Sequence, residues 1–506
     1  MTHLGRCVWV SLVFCAAAGC KGTISGPAGE DEAAADAGAD GEDEAELLSC
    51  KPGSGSRLKR VLHRFEDGSD VFVTHHDSEL GVRCAFQTAS DGSLRCVPRD
   101  AELAPSASLL HADANCTQRL AQIPTSGQAL GTPRFVTLYA PTSTTCESTL
   151  WVARLGTLRA FAPDDSVYAI EDGVCVSRTA GTTSRYYDVA GLVDPSEMVS
   201  GSETWVGGER LEMVQIDGAD GSRACESMDL RDRAMEMSTC RLEYATSEEI
   251  RCLPNDAVQA ERAFSDDTCT STAMTVGVTY DNDTCGPAER RYAVERISEG
   301  TCPDTSTTRV FSLASRMSGT YYEEIGEQCT SIGSPTVYAV DAEVPTATFA
   351  ELVRTWQPIG ERLERGDLAS SDGLRFHRAL IRDTESGLSC TLAPAGDGQM
   401  RCMPRPSTSA APLLSVETRY TDELCQAPLL VATLPYDMCF AETPALAAGE
   451  VDGKVQVFHT GAAIGTPLYQ RLTPSYCTAA AVDAQHFSLG EVVAPETFLA
   501  GQEVVE

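Results

Sequence analysis

The stretches TWVGGERLE at residues 204–212 and TWQPIGERLE at residues 355–364 are two versions of one segment. Three prolines stand 150 positions apart, the first two shortly before these stretches and the third shortly before the end of the chain: Pro195, Pro345 and Pro495. An internal period of this length is typical of tandem supersecondary units that bury their faces against one another. The sequence therefore predicts three tandem copies, which span residues 50–208, 209–360 and 361–506.

The end of the chain resembles the segment that joins one copy to the next. The first copy opens with GSRLK at residues 55–59, where the other two have GERLE, and the chain ends with GQEVVE at residues 501–506. In a closed ring, pairing of the two ends removes exposed sheet edges. We therefore expect the last strand to return to the first copy.

Short runs rich in Val, Thr, Tyr and Phe, separated by Gly, Pro, Asp and Ser, predict β-strands throughout the copies. Examples are VFVTHH at residues 71–76, RFVTLYA at 134–140 and STLWVARL at 148–155. The predicted fold class is all-β. About eight to ten strands per copy favour a six-bladed β-propeller-like ring, and three consecutive β-sandwich-like domains are the alternative.

The chain has 21 cysteines. Three of them, Cys7, Cys15 and Cys20, belong to the amino-terminal export region, which leaves an even number in the body. In an oxidising compartment such a set predicts a disulfide-stapled fold. The sequence contains no C-x-x-C pattern, which removes thioredoxin-like redox sites and the usual zinc ribbons.

One cysteine pair recurs in each copy with the partners twelve positions apart: Cys84 and Cys96, Cys240 and Cys252, Cys390 and Cys402. In the first and third copies an Asp-Gly pair lies between them, and this dipeptide favours the turn of a β-hairpin. We expect the cysteines to lie nearly opposite each other on paired strands, within disulfide range. The connectivity of the other cysteines stays open.

The amino terminus has the pattern of an export signal. The apolar run at residues 8–18 is too short to span a bilayer, and Ala17-Ala18-Gly19-Cys20 follows it. These residues resemble the lipobox of bacterial lipoproteins, although Ala17 stands where that family usually has Leu, and the Cys-rich repeated body resembles secreted tandem-repeat lipoproteins. The resemblance implies removal of residues 1–19 and acylation of Cys20, with Lys21 favouring the outer membrane or cell surface. An ordinary signal peptide cut elsewhere is the alternative.

Residues 20–49 form the next predicted segment. Nine carboxylates lie between Glu30 and Glu46, with no basic residue among them. Such a segment does not bury enough apolar surface to offset its ordering entropy, so it is predicted to be a disordered tether between the lipid and the body.

The sequence offers few candidates for a chemical site. A net charge of −34 argues against nucleic-acid partners, which reward clusters of Lys and Arg. His63, with His75 or His76, is a candidate metal cluster, and the turns at residues 217–220 and 281–283 are candidate weak calcium sites, although turn formation explains each of them as well. We predict no catalytic residue, no resident metal and no cofactor.

Two functions remain open at this stage. The first is a non-catalytic cell-envelope or surface lipoprotein, held in the membrane through its lipid, whose β scaffold binds or displays a glycan or protein ligand. The alternative is a secreted propeller-type hydrolase or lyase acting on extracellular glycans. A site formed by residues that only one copy carries would locate the functional surface, because residues shared by all copies more often serve packing.

Overall fold

The computed structural model describes most of the body of the chain. The described residues are 48–99, 108–124, 133–139, 150–162, 165–171, 173–181, 184–225, 230–235, 239–246, 249–279, 290–298, 306–325, 328–332, 336–404, 413–434, 443–473, 476–480 and 485–506. They form an all-β protein in which the helical segments are single 3₁₀ turns. The candidate lipidation site Cys20 and most of the predicted tether lie outside the described residues.

The strands follow the chain in three series. A short strand, β1 (Leu48–Ser49), precedes the series of the first copy. The first series is β2 (Leu58–Phe65), β3 (Asp70–Asp77), β4 (Val82–Thr88), β5 (Leu94–Pro98), β6 (Ser108–His111), β7 (Arg119–Pro124), β8 (Phe135–Tyr139), β9 (Leu150–Arg159), β10 (Ser166–Glu171), β11 (Val174–Thr179), β12 (Ser184–Leu192) and β13 (Gly201–Gly207).

The second and third copies continue the numbering. The second series is β14 (Leu211–Gly218), β15 (Arg223–Ala224), β16 (Leu230–Asp232), β17 (Cys240–Tyr244), β18 (Ile250–Pro254), β19 (Val258–Ala263), β20 (Met274–Thr279), β21 (Tyr292–Ser298), β22 (Ser306–Met317), β23 (Tyr322–Ile325), β24 (Gln328–Ser331), β25 (Thr336–Val344) and β26 (Glu351–Pro358). The third series is β27 (Leu363–Ser370), β28 (Leu374–Asp383), β29 (Ser389–Pro394), β30 (Met400–Pro404), β31 (Leu414–Tyr420), β32 (Pro428–Leu434), β33 (Leu446–Val451), β34 (Lys454–Ala463), β35 (Tyr469–Thr473), β36 (Tyr476–Ala479), β37 (Gln485–Val492) and β38 (Gly501–Val505).

The last strand of each series pairs with the first strand of the next series. β13 pairs antiparallel with β14, and β26 pairs antiparallel with β27. β38 returns to the first copy and pairs antiparallel with β2, from Val61 opposite Val505 to Phe65 opposite Gly501. The chain end therefore meets the first copy, as the sequence predicts.

These strands form a closed belt, which we call the ring. One sheet runs β13-β14-β16-β17-β18-β26-β27-β28-β29-β30 and a second runs β38-β2-β3-β4-β5. Single-residue bridges, Arg95 to Ser200 and Arg401 to Ala500, join the ends of the two sheets. Neighbouring copies thus share a sheet, which does not fit three independent β-sandwiches.

The remaining strands of each copy form a second sheet. In the first copy its order is β11-β10-β6-β7-β12-β9-β8, in the third copy it has seven strands, and in the second copy β19-β20-β25-β22-β21 close on themselves while β23 pairs with β24. These sheets of five to seven strands are larger than the four-stranded blade of a propeller, and the propeller stays a prediction.

A 3₁₀ turn stands at each repeated proline, and a buried apolar residue follows it. The turns are Pro195–Glu197, Thr346–Thr348 and Pro495–Thr497. The residues that follow, Met198, Phe349 and Phe498, are 3%, 0% and 3% exposed. Each turn therefore places an apolar side chain in the core of its own copy, shortly before the strand that pairs with the next copy.

Seven disulfides lie among the described residues: Cys50–Cys225, Cys84–Cys96, Cys116–Cys175, Cys240–Cys252, Cys269–Cys329, Cys390–Cys402 and Cys425–Cys477. They include the three pairs expected from the twelve-residue spacing. Such a set is typical of exported proteins. Cys146, Cys285, Cys302 and Cys439 lie outside the described residues.

The twelve-residue pairs differ in one detail from the expected geometry. Cys84 stands opposite Pro98, and Cys96 stands opposite Phe86, so the two cysteines are diagonal across the hairpin rather than facing. Their Cα atoms are nevertheless 5.2 Å apart. The twist of paired strands brings one diagonal closer than a flat ladder would.

The residues that precede β2 connect all three copies. β1 pairs parallel with β28 of the third copy, Cys50 is disulfide-bonded to Cys225 of the second copy, and the chain then enters β2 of the first. Cys50 is 3% exposed and packs in a core cluster with residues of the second and third copies. The predicted tether is thus continuous with a segment that is covalently fixed to the ring.

Candidate functional site

The three candidate metal-binding histidines are built into the sheet of the first copy. His75 is fully buried, and its Nε2 lies 3.2 Å from the carbonyl oxygen of Gly53. His63 lies 4.0 Å from the Glu503 carboxylate of β38, and burial lowers its pKa. His76 stands opposite Lys59. No group of three or more metal-ligating side chains occurs in the part of the chain that the structure describes.

The acidic turn at residues 217–220, which the sequence offers as a weak calcium candidate or a plain turn, has hydrogen-bond partners within the protein. Asp217 accepts a hydrogen bond from Arg223 at 3.3 Å and another from the Gln215 amide group at 3.0 Å. Asp220 accepts hydrogen bonds from two backbone amides of the first copy, those of Arg57 at 3.0 Å and Leu58 at 2.6 Å. These carboxylate oxygens are therefore used within the protein. The other candidate turn, residues 281–283, lies outside the described residues.

The Asp220 contact has an equivalent at every junction, and we call the three contacts the aspartate clamps. Asp372 of the third copy accepts from the amides of Arg210 and Leu211 at 2.7 and 2.8 Å. Asp67 of the first copy accepts from Arg362 and Leu363 at 3.1 and 3.0 Å. An aspartate of each copy thus accepts hydrogen bonds from backbone amides at the start of the preceding copy. The contact of Asp67 with the third copy closes the ring.

The repeated glycine of the G-x-R-L segment makes room for each clamp. A Cβ atom at Gly208 would lie 2.4 Å from the Oδ2 atom of Asp372 and 2.5 Å from its backbone oxygen. At Gly55 and Gly360 the corresponding distances to the clamp Oδ2 atom are 2.3 and 2.4 Å. Only a residue without Cβ allows an approach this close, which explains why the motif has glycine at this position.

The arginine of the same segment forms the second part of each junction. Arg210 bonds the fully buried carboxylate of Asp232 at 2.7 Å and donates to the carbonyl oxygen of Thr348 at 2.6 Å. The corresponding ion pairs in the other copies are Arg57 with Asp77 and Arg362 with Asp383. The arginine therefore joins the start of its copy to the 3₁₀ turn at the end of the same copy.

The clamp carboxyls are ionised over most of the pH range. Burial raises the pKa of Asp67, Asp220 and Asp372, but hydrogen bonds from a neighbouring serine and from the clamped amides outweigh burial and leave each pKa below its ordinary value. A lowered folded-state pKa gives stability that is present above the unfolded pKa of about 3.9 and is lost as pH falls through the folded value.

We therefore expect the ring to lose stability below about pH 4. Denaturant unfolding at pH 5 and pH 3 measures the loss, with the triple variant Asp67→Asn, Asp220→Asn and Asp372→Asn as the comparison. The amide side chains still accept hydrogen bonds but do not titrate, so the variant should lose less stability than the unmodified protein between these pH values. An equal loss in both proteins would contradict this role of the clamps.

Two of the three junctions also carry a Trp–Arg–Glu set. The Arg231 guanidinium lies 4.4 Å from the Trp205 ring centroid and 2.5 Å from the Glu212 carboxylate. In the next junction the residues are Trp356, Arg382 and Glu364, and the distances are 4.1 and 2.5 Å. At the third junction Val505, His76 and Lys59 take the corresponding register positions. Both tryptophans are therefore used in packing.

A pocket of about 240 Å³ opens in the first copy, between the ring and its second sheet. Its lining comes from the β4–β5 turn at Ser90, from Trp151 and Val152 on β9, and from residues 192–195, the last of which is the first residue of the 3₁₀ turn. Trp151 is 38% exposed, whereas Val152 is buried. The lining combines an accessible indole, a hydroxyl, a carboxylate and an apolar base.

The carboxylate of the pocket belongs to Asp194. It caps the 3₁₀ turn, because its Oδ1 atom accepts hydrogen bonds from the backbone amide and the hydroxyl of Ser196 at 2.8 and 2.7 Å. The Ser196 hydrogen bonds lower the pKa of Asp194. The carboxylate is therefore charged at neutral pH, and both of these bonds end on one of its two oxygens.

Two residues that line the pocket, Trp151 and Asp194, have different counterparts in other copies. The bridges Ala89 to Leu150 and Ala395 to Val455 are equivalent, so Gln456 of the third copy corresponds to Trp151. The residue before the repeated proline is Val344 in the second copy and Ala494 in the third, in place of Asp194. The sequence alone did not single out Trp151 or Asp194, although a comparison of the three copies at these positions would have found them.

A family model matches residues 36–498, which is most of the chain. The chain belongs to the DUF7481 family, a family of unknown function. No curated protein and no solved structure matches it. Among the described residues of this DUF7481 protein, no helix is long and apolar enough to cross a membrane.

Proposed function

We propose that this DUF7481 protein is a non-catalytic lipoprotein of the cell envelope, anchored through Cys20 in the outer membrane or at the cell surface, whose ring presents a binding site. The observation that carries the proposal is the pocket of the first copy, which Trp151 and Asp194 line on a framework that all copies share. A binding protein needs one such site and a rigid support for it. The clamps, the ion pairs and the disulfides supply the support.

The proposed anchor fits the arrangement of the amino-terminal segment. Cys50 is fixed to Cys225, and β1 lies on β28, so the segment that continues from the acidic tether ends on the ring itself. The tether, residues 20–49, carries like charges that repel and extend it. The ring and its pocket would stand away from the lipid surface and remain accessible to a partner.

Replacement of Cys20 by Ser tests the anchor. We expect the Cys20→Ser protein to move from the membrane fraction to the soluble fraction and to lose palmitate labelling, because stable anchoring depends on the buried acyl chains. Cys15→Ser, which changes a cysteine within the apolar run of the signal, is the matched control and should leave both measurements unchanged. Retention of the label in Cys20→Ser would refute lipidation at this residue.

A further inference from the structure

We propose that the pocket of the first copy binds the guanidinium group of an arginine side chain presented by a protein partner. This inference deepens the proposed function, since it names the ligand chemistry of the binding site. It rests on the indole of Trp151, the charged carboxylate of Asp194 and the way in which this chain uses the same groups elsewhere.

The chain itself shows which ligand this combination takes. At two junctions the face of a tryptophan is covered by an arginine at 4.4 or 4.1 Å, and a glutamate holds that arginine at 2.5 Å. The indole attracts the cation through its ring electrons, and the carboxylate forms a charge-assisted hydrogen bond with it. At both junctions, an arginine of the chain itself therefore binds an indole and a carboxylate together.

Trp151 and Asp194 place an indole and a carboxylate in the lining of one pocket. Among the residues that the structure describes, no cation stands over the Trp151 ring, whereas arginines stand over Trp205 and Trp356. The nearby Arg154 is bound to Glu197 at 2.5 Å. A guanidinium from outside would therefore complete the set.

The third copy already holds a cation at the corresponding turn. Gly396 occupies the position of Ser90, and its carbonyl oxygen accepts a hydrogen bond from the Lys454 ammonium at 3.2 Å. Lys454 precedes the bridge residue Val455, and in the sequence of the first copy the uncharged Thr149 precedes the bridge residue Leu150. In the first copy the same turn holds Arg95, which bonds Asp91 at 3.1 Å, while the pocket itself is lined by Ser90, Trp151, Val152 and residues 192–195.

Charge and size agree with this ligand. The net charge of −34 favours cationic over anionic ligands. A pocket of about 240 Å³ is smaller than the usual site for a drug-sized molecule, and it suits one side chain. The planar guanidinium stacks on an indole and forks onto a carboxylate better than the compact ammonium of lysine does.

Binding of a capped Gly-Arg-Gly peptide to the full-length protein in a non-ionic detergent tests the proposal. The matched probe is the same peptide with citrulline, which keeps the shape of arginine but has no charge. Isothermal titration calorimetry should show the citrulline peptide binding at least about tenfold more weakly, because it lacks both the cation–π attraction and the ion pair. Equal binding of the two peptides would overturn the proposal, as would displacement of the arginine peptide by a neutral methyl glucoside.

Variants taken from the sibling copies locate the binding. Trp151→Gln introduces the residue of the third copy, and Asp194→Asn keeps an acceptor for the 3₁₀ turn but removes the charge. Each should weaken arginine-peptide binding about tenfold. Ile170→Ala, at an exposed apolar residue of the same copy outside the pocket lining, is the control and should bind as the unmodified protein does. Unchanged binding in both pocket variants would place the peptide elsewhere and refute this site.

The outcomes separate this inference from the proposed function. Cys20→Ser changes the anchor and leaves the pocket intact, so its arginine-peptide affinity should equal that of the lipidated protein. If the anchor prediction holds and the arginine peptide does not bind, the ligand chemistry is wrong while the envelope lipoprotein stands. If the peptide binds and Cys20→Ser stays in the membrane, the anchor is wrong and the pocket stands.

Discussion

Deletion of Gly501–Glu506 will destabilise all three copies together. The deletion removes β38, which forms five residue pairs with β2 of the first copy. It also removes Glu506, which bonds Arg60 at 3.0 Å and Arg64 at 2.5 Å. Because a typical hydrogen bond contributes about 1 kcal/mol net, we expect a loss of about 3–5 kcal/mol from the ladder.

The loss should spread because the junction closes the ring. The first copy would expose the edge of β2, and the bridge from Arg401 to Ala500 would lose the strand that follows it. In repeat arrays, stability depends on the interfaces between units as well as on the units. Independent domains would behave differently, since only the third would lose its last strand.

Hydrogen exchange on the truncated protein distinguishes the two cases. We expect amides in the first copy, above all in residues 58–77, to exchange faster than in the full chain, with smaller increases in the second copy. Arg178→Ala, on β11 of the first copy's second sheet, is a control outside the ring strands and should leave the protection of β2 unchanged. Unchanged protection of residues 57–100 in the truncated protein would show that the ring does not depend on β38.

The closure of the ring could be predicted from the sequence, since the same junction must be built wherever copies meet. The chain end GQEVVE resembles the strands that follow the first two copies, and its strand, β38, takes the same place on β2. The short hairpin disulfides were also predictable, because both cysteines lie close together in the chain. Local pattern was sufficient in these cases.

The clamps and the pocket were not predicted, for a physical reason. Asp67 reaches the amide of Leu363, which lies 296 positions away, and nothing near Asp67 distinguishes it from the other acidic residues. Trp151 lies in a β-strand between the buried Leu150 and Val152, and its place in the pocket depends on the β4–β5 turn and residues 192–195, which are distant in sequence. Contacts between common residue types that are far apart in the sequence leave no recognisable pattern in the sequence around either residue.

Replacement of Asp372 by Ala will destabilise the junction between the second and third copies. The change leaves the amides of Arg210 and Leu211 without their acceptor, and Leu211 is fully buried. A buried donor without a partner costs about 1–3 kcal/mol, so we expect the free energy of unfolding to fall by about 2–5 kcal/mol.

Two matched variants show whether the clamp causes this loss. Asp372→Asn keeps a side-chain oxygen that accepts from both amides, and it should destabilise the protein by no more than about 1.5 kcal/mol. Glu209→Ala changes an exposed carboxylate in the same G-x-R-L segment and should stay within about 0.5 kcal/mol of the unmodified protein. Denaturant unfolding under oxidising conditions gives all three values. If Asp372→Ala is no less stable than Glu209→Ala, the amides find other acceptors and the aspartate does not hold the copies together.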